Sequence, residues 1–195
     1  HGTSRRQRQM CIRDRFLREG NAIHDAQNPD RIVIGYADEI AREKLNELYK
    51  SYNCTKLECI PRTAELIKYA SNSFLATKIS FVNEIANMSN VWGIDFQEVA
   101  EGMGLDSRIS SEFLRAGAGF GGSCFPKDVK ALAAAAKNSK VESLMLKATL
   151  EVNDLQPKLI VKMTEERLGV IKGKDIAVLG CLLYTSPSPR DFVRS

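Results

Sequence analysis

Residues 63–91 read TAELIKYASNSFLATKISFVNEIANMSNV, and the fold turns on how this stretch behaves. Apolar side chains recur at Leu66, Ile67, Ala70, Phe74, Phe81, Ile85 and Met88, the spacing of a helix face. Thr63 is the expected N-cap, with Glu65 and Leu66 in the first turn. The pattern runs to Val91, and Trp92-Gly93 ends it. At about 1.5 Å per residue the stretch makes a rod of about 40 Å. Such a rod spans a small domain and suits the axis of a homodimer.

Upstream, Asn28-Pro29-Asp30 is a turn signal and Arg31–Gly35 a short β-branched strand. Residues 38–52 follow a helical pattern with Ile40, Leu45, Leu48 and Tyr52 as the apolar stripe. Lys56–Ile60 reads as another short strand, closed by Pro61. Downstream, Asp95 caps a short helix over Phe96–Met103, and Leu105–Ser111 is a linker. A glycine-rich loop follows at Gly117–Ser123. Three helices are expected after it, over Pro126–Ala136, Val141–Asn153 and Pro157–Leu168, and then a buried strand at Asp175–Gly180. Strand and helix, a helical block, then a new strand imply an α/β fragment: the end of one Rossmann-like domain, an all-helical central domain, and the first strand of a second Rossmann-like domain. The boundaries fall at 16–60, 61–156 and 157–180.

The two ends stand apart. Residues 1–15 show no helical or strand periodicity, and residues 181–195 run from a short apolar stretch into a Ser-Pro repeat. Both resemble translated sequencing-adaptor read-through, so they are expected to be foreign to the fold; the rival reading of the first is a basic targeting arm. Arg5, Arg6, Arg8, Arg13 and Arg15 against Asp14 give it a charge of +4, which is the whole net charge of the chain. The other 180 residues hold 23 basic and 23 acidic side chains, so charge gives no argument for nucleic acid. No apolar run reaches the ~18–20 residues of a membrane helix, and no secretory signal is visible. The five cysteines, Cys11, Cys54, Cys59, Cys124 and Cys181, are odd in number and irregular in spacing, without a metal-binding pair. A reducing, cytoplasmic setting with a functional thiol is expected.

Gly119-Phe-Gly-Gly-Ser-Cys-Phe-Pro-Lys-Asp128 gathers the chemistry. Glycines let backbone approach a ligand closely. Pro126 stands where a helix begins, at its expected first position. Cys124 then lies at a helix N-terminus, whose partial positive charge favours a thiolate. Lys127 adds a cation and Asp128 a potential base. Spacing alone equally admits a buried Cys in a glycine turn. Lys68 and Asn72, four apart, share one face of the long helix, able to point an ammonium and an amide into a cleft or to sit on a solvated surface.

Residues 120–128 resemble the active-site motif of the UDP-glucose and GDP-mannose dehydrogenase family, and the likeness extends over 16–180. Phe16–Ile23 is similar to the family's substrate-clasping loop, Asn28–Gly35 to the last strand of its NAD domain, Glu65–Asn72 to its central-helix motif, and Gly173–Gly180 to the opening strand of its C-terminal domain. The resemblance implies NAD-dependent, four-electron oxidation of a nucleotide sugar, with Cys124 carrying first a thiohemiacetal and then a thioester. It implies that Lys68 stabilises the C6 oxyanion, that Asn72 holds that oxygen or the attacking water, that Asp128 is the acid/base, and that Glu19 assists sugar binding and hydrolysis. Phe16, Leu17, Arg115 and Gly121 match substrate contacts, Arg108 a residue reaching the neighbouring subunit's substrate, and Cys124 and Lys127 cofactor-side contacts. Phe125 after the Cys suggests UDP-glucose; GDP-mannose is the alternative.

The sequence departs from the family pattern in places. There is no G-x-G-x-x-G fingerprint, because Gly117-Ala-Gly-Phe-Gly-Gly122 follows no strand. Arg15 stands where the family places an acidic residue. The chain as written is therefore expected to lack dehydrogenase activity by itself. A non-enzymatic helical dimerisation module is the rival reading.

Overall fold

The protein was analysed as a computed structural model that describes residues 22–176. Six helices and two strands are seen among them. A short helix, α1 (Ala22–Gln27), leads into β1 (Arg31–Gly35). Helix α2 (Glu39–Leu48) follows, capped by Asp38, whose side chain accepts from the Ala41 amide. Strand β2 (Thr55–Cys59) then pairs parallel to β1, with Arg31 opposite Thr55 and Gly35 opposite Cys59. This strand–helix–strand unit is the expected end of an α/β domain. Asn46 and Arg42 of α2 grip Glu58 of β2: Asn46 Nδ2 donates to one carboxylate oxygen at 2.7 Å and Arg42 Nε to the other at 2.5 Å. Of the apolar stripe read for α2, Leu45 and Tyr52 are half-buried, while Ile40 and Leu48 are exposed among the described residues.

Helix α3 (Pro61–Trp92) is the rod, 32 residues and about 48 Å long. It starts two residues earlier than Thr63. Ile60 is the N-cap, without a side-chain hydrogen bond, and Pro61 opens the helix. A proline gives up no bond there and its fixed φ already fits, so it displaces Thr63 as the start signal. Gly93 ends the rod with φ 68°, where a β-carbon would be strained. Helix α4 (Phe96–Gly104) is capped by Asp95, which accepts from Gln97 N at 2.8 Å.

Helix α5 (Phe125–Asn138) follows the glycine loop, and α6 (Leu144–Leu168) runs unbroken for 25 residues. The two helices expected on either side of Pro157 are therefore one. Proline removes one backbone bond, but contacts with α3 hold the two turns that lead up to it. Thr149 Oγ1 meets Thr77 Oγ1 at 2.9 Å, Ser80 Oγ donates to Thr149 O at 2.8 Å, and Asn87 Nδ2 donates to Gln156 Oε1 at 3.1 Å. Packing of the helix on α3 outweighs the local defect. Of the expected strand at 175–180, Asp175 and Ile176 are not in a strand, and the rest lies outside the described residues.

Helix α3 packs against β1, α4, α5 and α6. One core cluster joins Ala76 to Phe120 and Val129, with Ile79, Phe125, Leu146 and Leu150 around it. A second joins Val82 to Ala100 and Leu114, with Phe96 and Met103. The face of α3 that the chain buries is small and polar: Ala64, Lys68, Asn72, Ser73, Ala76, Ser80, Asn83 and Ser89, with Val82. The apolar positions Leu66, Phe74, Phe81 and Met88 are exposed instead, joined by Val91 and Trp92.

Candidate active site

The start of α5 is brought against α3 at Lys68 and Asn72. Asp128, in the first turn of α5, is 1% exposed. Its Oδ2 accepts from Asn72 Nδ2 at 2.7 Å and lies 3.8 Å from Lys68 Nζ. Its Oδ1 is 3.5 Å from Lys127 Nζ and takes no hydrogen bond within the described residues. Lys68 and Asn72 are themselves buried. The solvated-surface reading of this pair is thus overturned: α5 covers that face and supplies the matching carboxylate. A buried charge needs such a partner, since leaving it unpaired costs several kcal/mol.

Cys124 is the N-cap of α5 and is exposed. Phe125 takes the first helical position and Pro126 the second, one later than expected. Proline is tolerated there because the first turn's N–H groups have no intrahelical acceptor. Cys124 O accepts from Asp128 N at 2.9 Å, so thiol and carboxylate stand one turn apart at the same helix end. Ser123 Oγ approaches Cys124 Sγ at 3.6 Å. The alternative of a buried structural Cys does not hold, because the thiol faces outward while the residues behind it are packed.

The loop before Cys124 is held from two sides. Gly117 N donates to Asn83 Oδ1 at 2.8 Å. Phe120 is gripped by Asn153 of α6, which accepts from its N–H at 2.6 Å and donates to its C=O at 3.2 Å. Its ring is buried and meets Phe125 edge-on at 6.3 Å. Gly121 has open space where a β-carbon would sit, which leaves its backbone bare. Arg115, next to the buried Leu114, is exposed.

Arg108 does not point into this cluster. Its guanidinium forks onto Asp106, Nη2 to Oδ2 at 2.6 Å and Nε to Oδ1 at 3.0 Å. The hydrogen bonds from Arg108 hold the Asp106 carboxyl below its usual range. Lys78 of α3 secures the same loop, donating to Ile109 O at 2.9 Å and Glu112 O at 2.6 Å. Phe16, Leu17 and Glu19 lie outside the described residues. Sequence reading missed Asn83, Asn153 and Lys78. A signal existed: Thr149, Asn153 and Gln156 recur at helical spacing, as do Asn83 and Asn87.

Among the described residues no group of His, Cys, Asp or Glu is placed to hold a metal ion, and no helix is long and apolar enough to cross a membrane.

Residues 62–155 match the central domain of the UDP-glucose/GDP-mannose dehydrogenase family, and residues 6–53 match its NAD binding domain. The chain is 51% identical over 165 residues to the UDP-glucose 6-dehydrogenase YwqF of Bacillus subtilis, an alignment covering 85% of this chain and 38% of the relative. It is 45% identical over 191 residues to the UDP-glucose 6-dehydrogenase AglM of Haloferax volcanii, covering 95% and 44%. A solved UDP-glucose dehydrogenase from Pyrobaculum islandicum superposes with a TM-score of 0.77 at 49% identity, over 79% of this chain and 36% of that one. The chain thus spans about two fifths of the length of the curated relatives it matches. With one domain of the family matched over the rod and the Cys124 loop, the other matched over β1 and α2, and a common fold, the chain belongs to the UDP-glucose/GDP-mannose dehydrogenase family.

Proposed function

We propose that this chain supplies the catalytic core of an NAD-dependent UDP-glucose 6-dehydrogenase. The observation that carries the reading is the junction of α3 and α5, where an exposed thiol stands one helical turn from a buried carboxylate held by an ammonium and an amide. A Phe after the Cys and relatives named for UDP-glucose favour that substrate over GDP-mannose.

NAD supplies the hydride acceptor, one molecule for each two-electron step. The described residues suit its approach: Cys124 and Lys127 are exposed at the positive end of α5, which fits an anionic dinucleotide. Oxidation of the C6 alcohol gives an aldehyde. The Cys124 thiolate adds to its carbonyl carbon and the oxygen takes a proton, giving a thiohemiacetal. Loss of a second hydride and that proton leaves a thioester on Cys124. Water adds to the thioester, the C–S bond breaks, and the thiol and the uronate are released. Lys68 stabilises negative charge on the C6 oxygen, because a buried ammonium acts there with little solvent screening. Asn72 holds the same oxygen or the attacking water, and Asp128 carries the proton. Gly121 and Arg115 contact the sugar nucleotide with Phe16, Leu17 and Glu19, and Glu19 assists hydrolysis. Arg108 reaches the substrate of a neighbouring subunit after leaving Asp106.

The bare stripe of α3 supports a homodimer. Leu66, Phe74, Phe81, Met88 and Trp92 share one side of the rod, and Phe74 and Trp92 are 66% and 67% exposed. The free thiols Cys54, Cys59 and Cys124 fit a reducing compartment, the cytoplasm.

The test is a graft. Residues 22–168 replace the matching segment of the Bacillus subtilis enzyme, and NADH release from UDP-glucose is followed. Two NADH per sugar are expected, and Cys124→Ser should abolish completed turnover. A graft that still releases uronate with Cys124→Ser would refute the proposal.

A further inference from the structure

The loop that presents Cys124 is anchored by a residue of α6, a helix to which no catalytic or binding role has been assigned. Asn153 lies on the face of α6 that packs on α3, between Thr149 and Gln156. Its carboxamide satisfies both backbone groups of Phe120, accepting from the N–H at 2.6 Å and donating to the C=O at 3.2 Å. The approach depends on the preceding residue. A β-carbon on Gly119 would stand 2.6 Å from Asn153 Oδ1, and Gly119 has φ 102°, a conformation suited to glycine. Phe120 is therefore fixed twice, by its ring in the core and by its peptide groups on Asn153. Between this anchor and α5, Gly121, Gly122, Ser123 and Cys124 are exposed and have no comparable grip among the described residues. The place of the thiol is set by Phe120 on one side and the first turn of α5 on the other.

We propose that Asn153 is a positioning residue for Cys124, acting through the Phe120 backbone and touching no reacting atom. The inference deepens the reading of Cys124 as the nucleophile and rests on it for its purpose. Without the carboxamide, two peptide groups behind the loop lose their partners, and the loop must rearrange to reach water. Cys124 then leaves its place at the end of α5, one turn from Asp128.

The test uses the 195-residue chain and needs neither cofactor nor sugar. Iodoacetamide alkylation is followed peptide by peptide, because the chain has five cysteines. Asn87→Ala is the matched control: it breaks an α3–α6 amide pair of the same kind that does not touch the loop. Asn153→Ala should slow Cys124 about two- to five-fold, the scale of a helix-terminus effect. Cys54 and Cys59 should react as in Asn87→Ala. If Asn153→Ala unfolds the chain, exposing all cysteines alike, Asn153→Asp decides: it keeps the acceptor for Phe120 N and loses the donor to Phe120 O, and should still slow Cys124 selectively. A Cys124 rate that matches the Asn87→Ala control, or that rises, overturns the proposal. Failure of the catalytic reading is seen separately, as graft turnover that survives Cys124→Ser.

Discussion

At the residue scale, Asp128 is the point on which the site closes. Its carboxylate is buried against Asn72, Lys68 and Lys127, so it holds the α3–α5 junction as well as any proton it moves. Asp128→Ala leaves the buried Lys68 without that counter-charge and should cost about 3–5 kcal/mol in denaturant unfolding. A loss below about 1 kcal/mol would mean that the junction does not depend on the pair. Gly119→Ala faces both a strained φ and the Asn153 oxygen, so a loss of more than about 1 kcal/mol is expected in the same measurement. The place of Cys124 at a helix start was legible because it needs only neighbours in sequence: glycines before it and a proline in the first turn after it. The fate of Lys68 and Asn72 was not legible. Whether an i,i+4 polar pair is solvated or buried depends on what packs over it, and the cover comes from α5, whose Asp128 is 56 residues further along.

At the element scale, β1, β2, α2 and the rod were read close to where they lie, since hydrophobic spacing and turn residues are local signals. Two of the misread helix limits involve proline. At Pro61 proline starts the rod ahead of Thr63, and at Pro157 it fails to end α6. A proline sets only a local cost, and the contacts of Thr149 and Gln156 with α3 outweigh it. The α2–β2 tether makes a pH prediction. Hydrogen bonds from Asn46 and then Arg42 hold the Glu58 carboxyl below its usual range. A depressed folded-state value means stability that is fully present at neutral pH. That stability is lost as pH falls through the unfolded carboxylate value of about 4.3 toward the lower folded one. Glu58→Gln should therefore flatten the decline in stability below about pH 5. Parallel acid-unfolding curves for the two proteins would rule out this role.

At the scale of the whole molecule, the rod puts its polar face inward and its apolar face outward, the reverse of an ordinary surface helix. In the proposed homodimer a second copy of the chain covers this face. Phe81→Glu should weaken self-association by at least about ten-fold in sedimentation, a cost of ~1.4 kcal/mol, with helical circular dichroism unchanged. A monomeric parent chain would remove the basis for the prediction. The amino-acid sequence by itself determined the order of elements from β1 to α5, the approximate length of the rod and the setting of the thiol, because periodicity, capping and glycine conformation act over a few residues. Only the tertiary structure decided which face of the rod is inside, that α6 is one helix, that the side chains at 68, 72 and 128 meet, and that the one at 153 holds the loop. Those outcomes depend on desolvation and on pairing between groups tens of residues apart, which no local pattern encodes.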